Sequence, residues 1–217
     1  MSLLQDVLSR DFPSAGKGIY CHRQGQICLS GPAFGNPSFS QARSHSSPQC
    51  RKAEEILGDV ESAKDLYGDS IETVFIGDSN SLVAKTEMLV KILNALFTSF
   101  PHIKRVTSYA RAKTIAKKPL EDLMKIRQAG LNRLHVGLET GDRELLKEIE
   151  KGATPEEMIE AGKKAKEAGF EYSLYVLLGI GREEKWEKHA RGTAEVLNQI
   201  DPHFIRVRTF IPQPESP

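Results

Sequence analysis

From residue 71 to the C-terminus, short apolar runs alternate with longer amphipathic ones, and this alternation limits the folds open to the chain. Glu72-Thr-Val-Phe-Ile-Gly-Asp78, Arg105-Val-Thr-Ser-Tyr-Ala110, Leu134 to Leu138, Tyr172 to Leu178 and Phe204 to Phe210 read as strands. Between them, segments near Thr86 to Phe100, after Pro119, after Thr154 and from Glu183 to Ile200 place apolar residues at helical spacing. Strand starts recur roughly every thirty to forty residues, which suits βα units and a parallel sheet, and no stretch offers a hairpin. The expected class is α/β, a sheet either open or curled toward a barrel.

Several boundaries follow from local chemistry. Glu54 to Tyr67 carries Ile56, Val60 and Ala63 at helical spacing, with Gly68 placed to end the helix. Thr154, Pro155 and Glu157 occupy the cap, first and third positions of a capping box. Gly130 and Gly169 close two further helices.

The first fifty residues behave differently. From Gly16 to Gln49 the chain is rich in Gly, Ser, Pro and Gln and keeps no period. Residues 1–50 therefore read as an irregular, poorly ordered leader, and 51–217 as the core, cut short at its C-terminal end. Charge is balanced, 30 basic against 29 acidic side chains, which leaves no electrostatic footprint for nucleic acid. No run is apolar enough to span a bilayer and the N-terminus lacks a signal-peptide pattern, so a cytoplasmic protein is expected. Three cysteines argue against a disulfide framework.

Parallel strands share one carboxyl rim. That rim would gather Gly77-Asp78-Ser79-Asn80, Ser108-Tyr109, Glu139-Thr140-Gly141 and Gly179-Ile-Gly181. Asp78 and Glu139 suit an ammonium group or a ribose diol, and Ser108 and Thr140 suit hydroxyls. Taken singly, each also has an ordinary structural reading: Asp78 and Asp142 as helix caps, Ser108 as a turn residue. His135 falls on the face opposite Val136 and reads as core or helix-facing. His189 reads as a surface or half-buried structural histidine, and Trp186 as an anchor between helix and sheet.

The stretches Val74-Phe-Ile-Gly-Asp-Ser-Asn-Ser-Leu, Val106-Thr-Ser-Tyr-Ala, Leu131-Asn-Arg-Leu-His-Val-Gly-Leu-Glu-Thr-Gly-Asp, Lys151-Gly-Ala-Thr-Pro-Glu-Glu-Met and Leu177-Leu-Gly-Ile-Gly-Arg-Glu belong together. In combination they resemble the radical S-adenosylmethionine superfamily, in the branch with Elp3/MiaB/NifB-like core domains. The resemblance implies a partial (β/α) barrel that binds S-adenosylmethionine across its carboxyl rim. It assigns Gly77 and Asp78 to the methionine amino group, Ser108 to the ribose or carboxylate, Glu139 and Thr140 to the cofactor, and Gly179 to the adenine.

The resemblance also implies a [4Fe-4S] cluster whose electron cleaves the sulfonium, giving methionine and a 5′-deoxyadenosyl radical that attacks an unknown substrate. A reductant such as a flavodoxin or ferredoxin would supply that electron. The family's Cys-x3-Cys-x2-Cys loop is not found here: Cys21, Cys28 and Cys50 are separated by six and then twenty-one residues. They remain the candidate metal ligands. A zinc site built from them finds no Cys-x2-Cys pair. The alternative expectation is a cluster-less scaffold or nucleoside-binding module without radical chemistry.

Overall fold

The computed structural model describes residues 20–21, 25–28, 51–77 and 80–211. The leader is thus largely outside the described residues, as are Cys50, Asp78 and Ser79. Seven strands form one sheet in chain order: β1 (Tyr20–Cys21), β2 (Gly25–Cys28), β3 (Thr73–Gly77), β4 (Arg105–Tyr109), β5 (Leu131–Glu139), β6 (Glu171–Leu178) and β7 (Phe204–Thr209). From β2 to β7 every pairing is parallel. Parallel strands that follow chain order need every right-handed crossover on the same side. Helices then cover one face and the other curves inward. The result is an α/β partial barrel.

One expectation fails at the sheet's first edge. The sequence offers no hairpin, yet β1 pairs antiparallel with β2, Tyr20 opposite Gln26 and Cys21 opposite Gly25. Strands of two and four residues are too short to display a period of two.

The helices are α1 (Ala53–Tyr67), α2 (Thr86–Ser99), α3 (Ala112–Lys117), α4 (Leu120–Gln128), α5 (Arg143–Glu148), α6 (Pro155–Glu167) and α7 (Arg182–Ile200). The capping box at α6 forms as expected: Thr154 Oγ1 accepts from the Glu157 N–H, and Glu157 accepts from the Thr154 N–H. Strand alternation divides the side chains between two environments. Val74, Ile76, Val106, Leu134, Val136, Leu138, Tyr172, Leu174 and Val176 point at the helices and form one core with Leu89, Leu93, Leu96, Ile126, Ala161 and Val196.

Along α7 the buried stripe is His189, Thr193, Val196 and Ile200. Trp186 is 64% exposed and anchors nothing in the core. The stripe ends instead in a polar group, because His189 has partners beneath it. No helix among the described residues is long and apolar enough to cross a membrane.

Candidate functional site

The carboxyl end of β5 is the most constrained point of the backbone. Pairing with β6 shifts register between Gly137 and Glu139. Glu139 then adopts φ 63°, and the Thr140 N–H donates to Leu138 O at 2.8 Å, closing a tight γ-turn around it. A side chain in this left-handed region is strained, and such strain persists only where the surroundings hold it. The turn folds the carboxylate back over Gly137. A Cβ added at Gly137 would collide with Glu139 Oε1 and approach Lys151 Nζ, so a larger residue there would displace the ion pair. Lys151 Nζ donates to Glu139 Oε1 at 2.7 Å, in a pair largely withdrawn from solvent.

What holds the turn from behind is α7. Gly141 presses against the backbone of Gly192, and a Cβ at Gly141 would overlap the Gly192 carbonyl. The Gly141 N–H donates to Thr193 Oγ1 at 2.9 Å, and the Asp142 N–H donates to Thr140 Oγ1 at 3.0 Å. His189 Nδ1 lies 2.9 Å from the same Thr140 oxygen. Burial lowers the His189 pKa, against an opposing pull from the Asp142 charge, which suits a neutral imidazole accepting the Thr140 O–H. Asp142 itself caps α5, accepting from the Leu145 N–H at 2.8 Å.

The expected rim residues thus divide. Gly77 ends β3 at the rim, and Asp78 lies outside the described residues. Glu139 stands on the concave side, while Thr140 is fully buried and faces α7. Ser108 is also fully buried on the helix side, with its hydroxyl on Ser81 Oγ at 2.5 Å and Ile76 O at 3.2 Å. Tyr109 is the residue at the carboxyl end of β4 that faces the hollow. Gly179 takes φ 84° and its carbonyl accepts from Arg182 at 3.1 Å, which turns the chain from β6 into α7. A Cβ there would meet nothing within 4 Å, so the space above Gly179 is open.

His135 faces the hollow rather than the helices. It is 6% exposed and joins a row of rings, 5.9 Å from Tyr109, 6.1 Å from Tyr175 and 6.2 Å from Phe75. Its pKa is lowered to about 4, by burial first and then by the charges of Arg206, Arg133 and Arg105. The residues that the sequence reading missed are Lys151 and Gly192, and His189, expected at the surface or half-buried, is 6% exposed against Thr140. Lys151 stands in a quoted motif, but its partner lies across α5.

Strand register also locates two cysteines. Cys28 pairs with Gly77 at the rim, whereas Cys21 pairs with Gly25 at the other end of β2. Among the described residues no three metal-ligating side chains gather. This spacing does not fit the three-cysteine loop of a cubane cluster.

The fold is a partial barrel of parallel strands in chain order, with a glycine turn, a strained carboxylate and a second glycine turn along the carboxyl rim, where barrels of this kind place their sites. The model of the Radical SAM superfamily matches residues 19–191, so this chain belongs to that superfamily. The match takes in β1 and β2, ahead of the stretches that carried the resemblance. The heme chaperone HemW of Bacillus subtilis is 26% identical over 148 residues, 67% of this chain and 38% of that protein. The 3-methylornithine synthase of Methanosarcina barkeri is 32% identical over 96 residues, 44% of this chain and 26% of that one. The chain therefore spans well under half the length of these curated relatives. Among solved structures, methylornithine synthase (PylB) superposes with a TM-score of 0.65 at 21% identity, covering 88% of this chain and 54% of its own. Coproporphyrinogen III oxidase (HemN) from Escherichia coli gives 0.59 at 15%, covering 75% and 38%.

Proposed function

We propose that this chain binds S-adenosylmethionine across the carboxyl rim and serves the radical chemistry of its superfamily. The observation that carries the reading is Glu139, a buried carboxylate kept in a strained turn on the concave side. Nothing in the sheet's own hydrogen bonding requires a non-glycine residue at φ 63°, so the strain is best accounted for by a ligand that needs the carboxylate there.

In this reading Glu139 accepts from the cofactor's ribose diol or ammonium group, and Lys151 releases or shares it. Gly77 and Asp78 receive the methionine amino group, and Gly179 leaves open backbone for the adenine. Ser108 and Thr140 have hydroxyls already bonded within the fold, so they serve as supports: Ser108 ties β4 to β3, and Thr140 ties the Glu139 turn to α7. When bound, a [4Fe-4S] cluster would supply the reducing electron. The cysteine spacing does not match the family's loop.

The test is anaerobic reconstitution with iron and sulfide, followed by EPR of the reduced protein with and without S-adenosylmethionine. A cubane signal that the cofactor perturbs supports reductive cleavage. No cluster, under conditions that load a control enzyme, reduces the chain to a nucleoside-binding scaffold.

A further inference from the structure

The last strand carries two guanidinium groups that the rim does not use. Arg206 is half-buried, donates through Nε to Ser173 Oγ at 3.2 Å, and lies 5.9 Å from the centre of the Tyr175 ring. Alternation along β7 puts Arg208 on the same concave face. Neither has a carboxylate partner among the described residues. The other charges on this face are already matched: Arg133 donates to Glu171 at 2.7 Å and lies 3.9 Å over the Phe204 ring, and Lys151 is held by Glu139. Arg105 stands at the amino end of β4, in register with Thr73 and away from the rim.

Two tyrosines and a histidine complete the wall. Tyr109 and Tyr175 lie 6.3 Å apart, and burial, then the neighbouring Tyr175, raises the Tyr109 pKa, so that phenol keeps its proton. His135 packs beside both, and its Nδ1 is buried without a hydrogen-bond partner among the described residues. A buried, unpaired ring nitrogen is destabilising unless something meets it. Cationic forks, phenol donors and an unsatisfied imidazole therefore converge on one hollow.

We propose that the concave face of β4–β7 is the substrate site, and that it takes a small carboxylate-bearing molecule. Arg206 and Arg208 hold the carboxylate, the rings of Tyr109 and Tyr175 flank its body, and His135 Nδ1 meets a polar group on it. A guanidinium fork matches a planar carboxylate in two parallel bonds. A phosphate would be better served by helix N-termini and free backbone N–H groups, which this wall lacks. The inference rests on the rim reading for the cofactor's place, because it puts the substrate beside the cofactor.

The experiment uses the full chain labelled with 13C and 15N at histidine, titrated with benzoate and with its neutral isostere benzamide. The His135 ring signal, identified by its loss in His135→Phe, is expected to shift with benzoate and not with benzamide. Arg206→Gln with Arg208→Gln is expected to weaken benzoate at least tenfold and to leave S-adenosylhomocysteine affinity unchanged. Arg208→Gln alone, at an exposed position, is expected to weaken it several-fold and keeps the test open if the double variant misfolds. Equal benzoate binding by both variants overturns the proposal. So does competition between benzoate and S-adenosylhomocysteine, which would make this the cofactor's own carboxylate site. Benzoate binding with no S-adenosylhomocysteine binding to the unaltered chain would leave the carboxylate site standing and overturn the rim reading alone.

Discussion

The two faces of the sheet are made by the same strands and have opposite chemistry. Leu134 and Val136 point at the helices and lie in a continuous apolar core. His135, between them, points into a hollow lined by Tyr109, Tyr175 and Arg206. The helix side gains its stability from burial of apolar area and close packing. Among the described residues the hollow side keeps an imidazole nitrogen without a partner and two guanidiniums without carboxylates, and the buried nitrogen is a feature that a chain selected for stability alone would replace. One face is packed for folding, and the other carries the polar groups on which the proposed ligand sites rest.

Neighbouring substitutions sharpen that contrast. Leu134→Ala removes a fully buried side chain and is expected to cost about 2–5 kcal/mol, measured by denaturant unfolding. A loss below about 1 kcal/mol would mean that the helix side is loosely packed.

His135→Phe should act through pH. The folded imidazole has its pKa lowered from 6.5 to about 4. Below pH 6.5 the unfolded chain takes up the proton first, so stability falls between pH 6.5 and pH 4 and is unaffected above that window. The loss amounts to at most about 3 kcal/mol. Because His189 contributes with the same sign, the informative quantity is the difference between the parent and His135→Phe. That difference is expected to grow as pH falls through the window. A flat difference would place His135 in contact with water.

Gly141→Ala tests how the rim is held. Its methyl group would meet the Gly192 backbone, so α7 must shift at a cost of roughly 1–3 kcal/mol. Hydrogen exchange should quicken at Thr140 and Gly141 and change little in β3. Uniform quickening would contradict the coupling to α7.

Much of the barrel was readable because two periods alternate along residues 71–210, and because Thr154, Pro155 and Glu157 spell out a helix start. The hairpin of β1 and β2 was not, since six residues cannot show a pattern. Ser108 is instructive in another way. Its position two residues after Val106 already places it on the helix side, so alternation alone points to Tyr109 as the residue facing the hollow. The contacts that fix the rim were out of reach, because Gly141 meets Gly192 and Thr140 meets His189 across some fifty residues of chain. Glu139 was visible as a carboxylate at a strand end. Its positive φ and its Lys151 partner exist only in three dimensions.

The central claim is that the strained turn at Glu139 exists for the cofactor. The direct measurement is calorimetric titration of S-adenosylmethionine into the parent chain and Glu139→Ala, with thermal unfolding of both. Affinity should fall at least tenfold, about 1.4 kcal/mol, with little change in melting temperature, since the carboxylate contributes to the site and not to the core. Equal affinity in the two proteins would remove Glu139 from the site and leave the strained turn without a function.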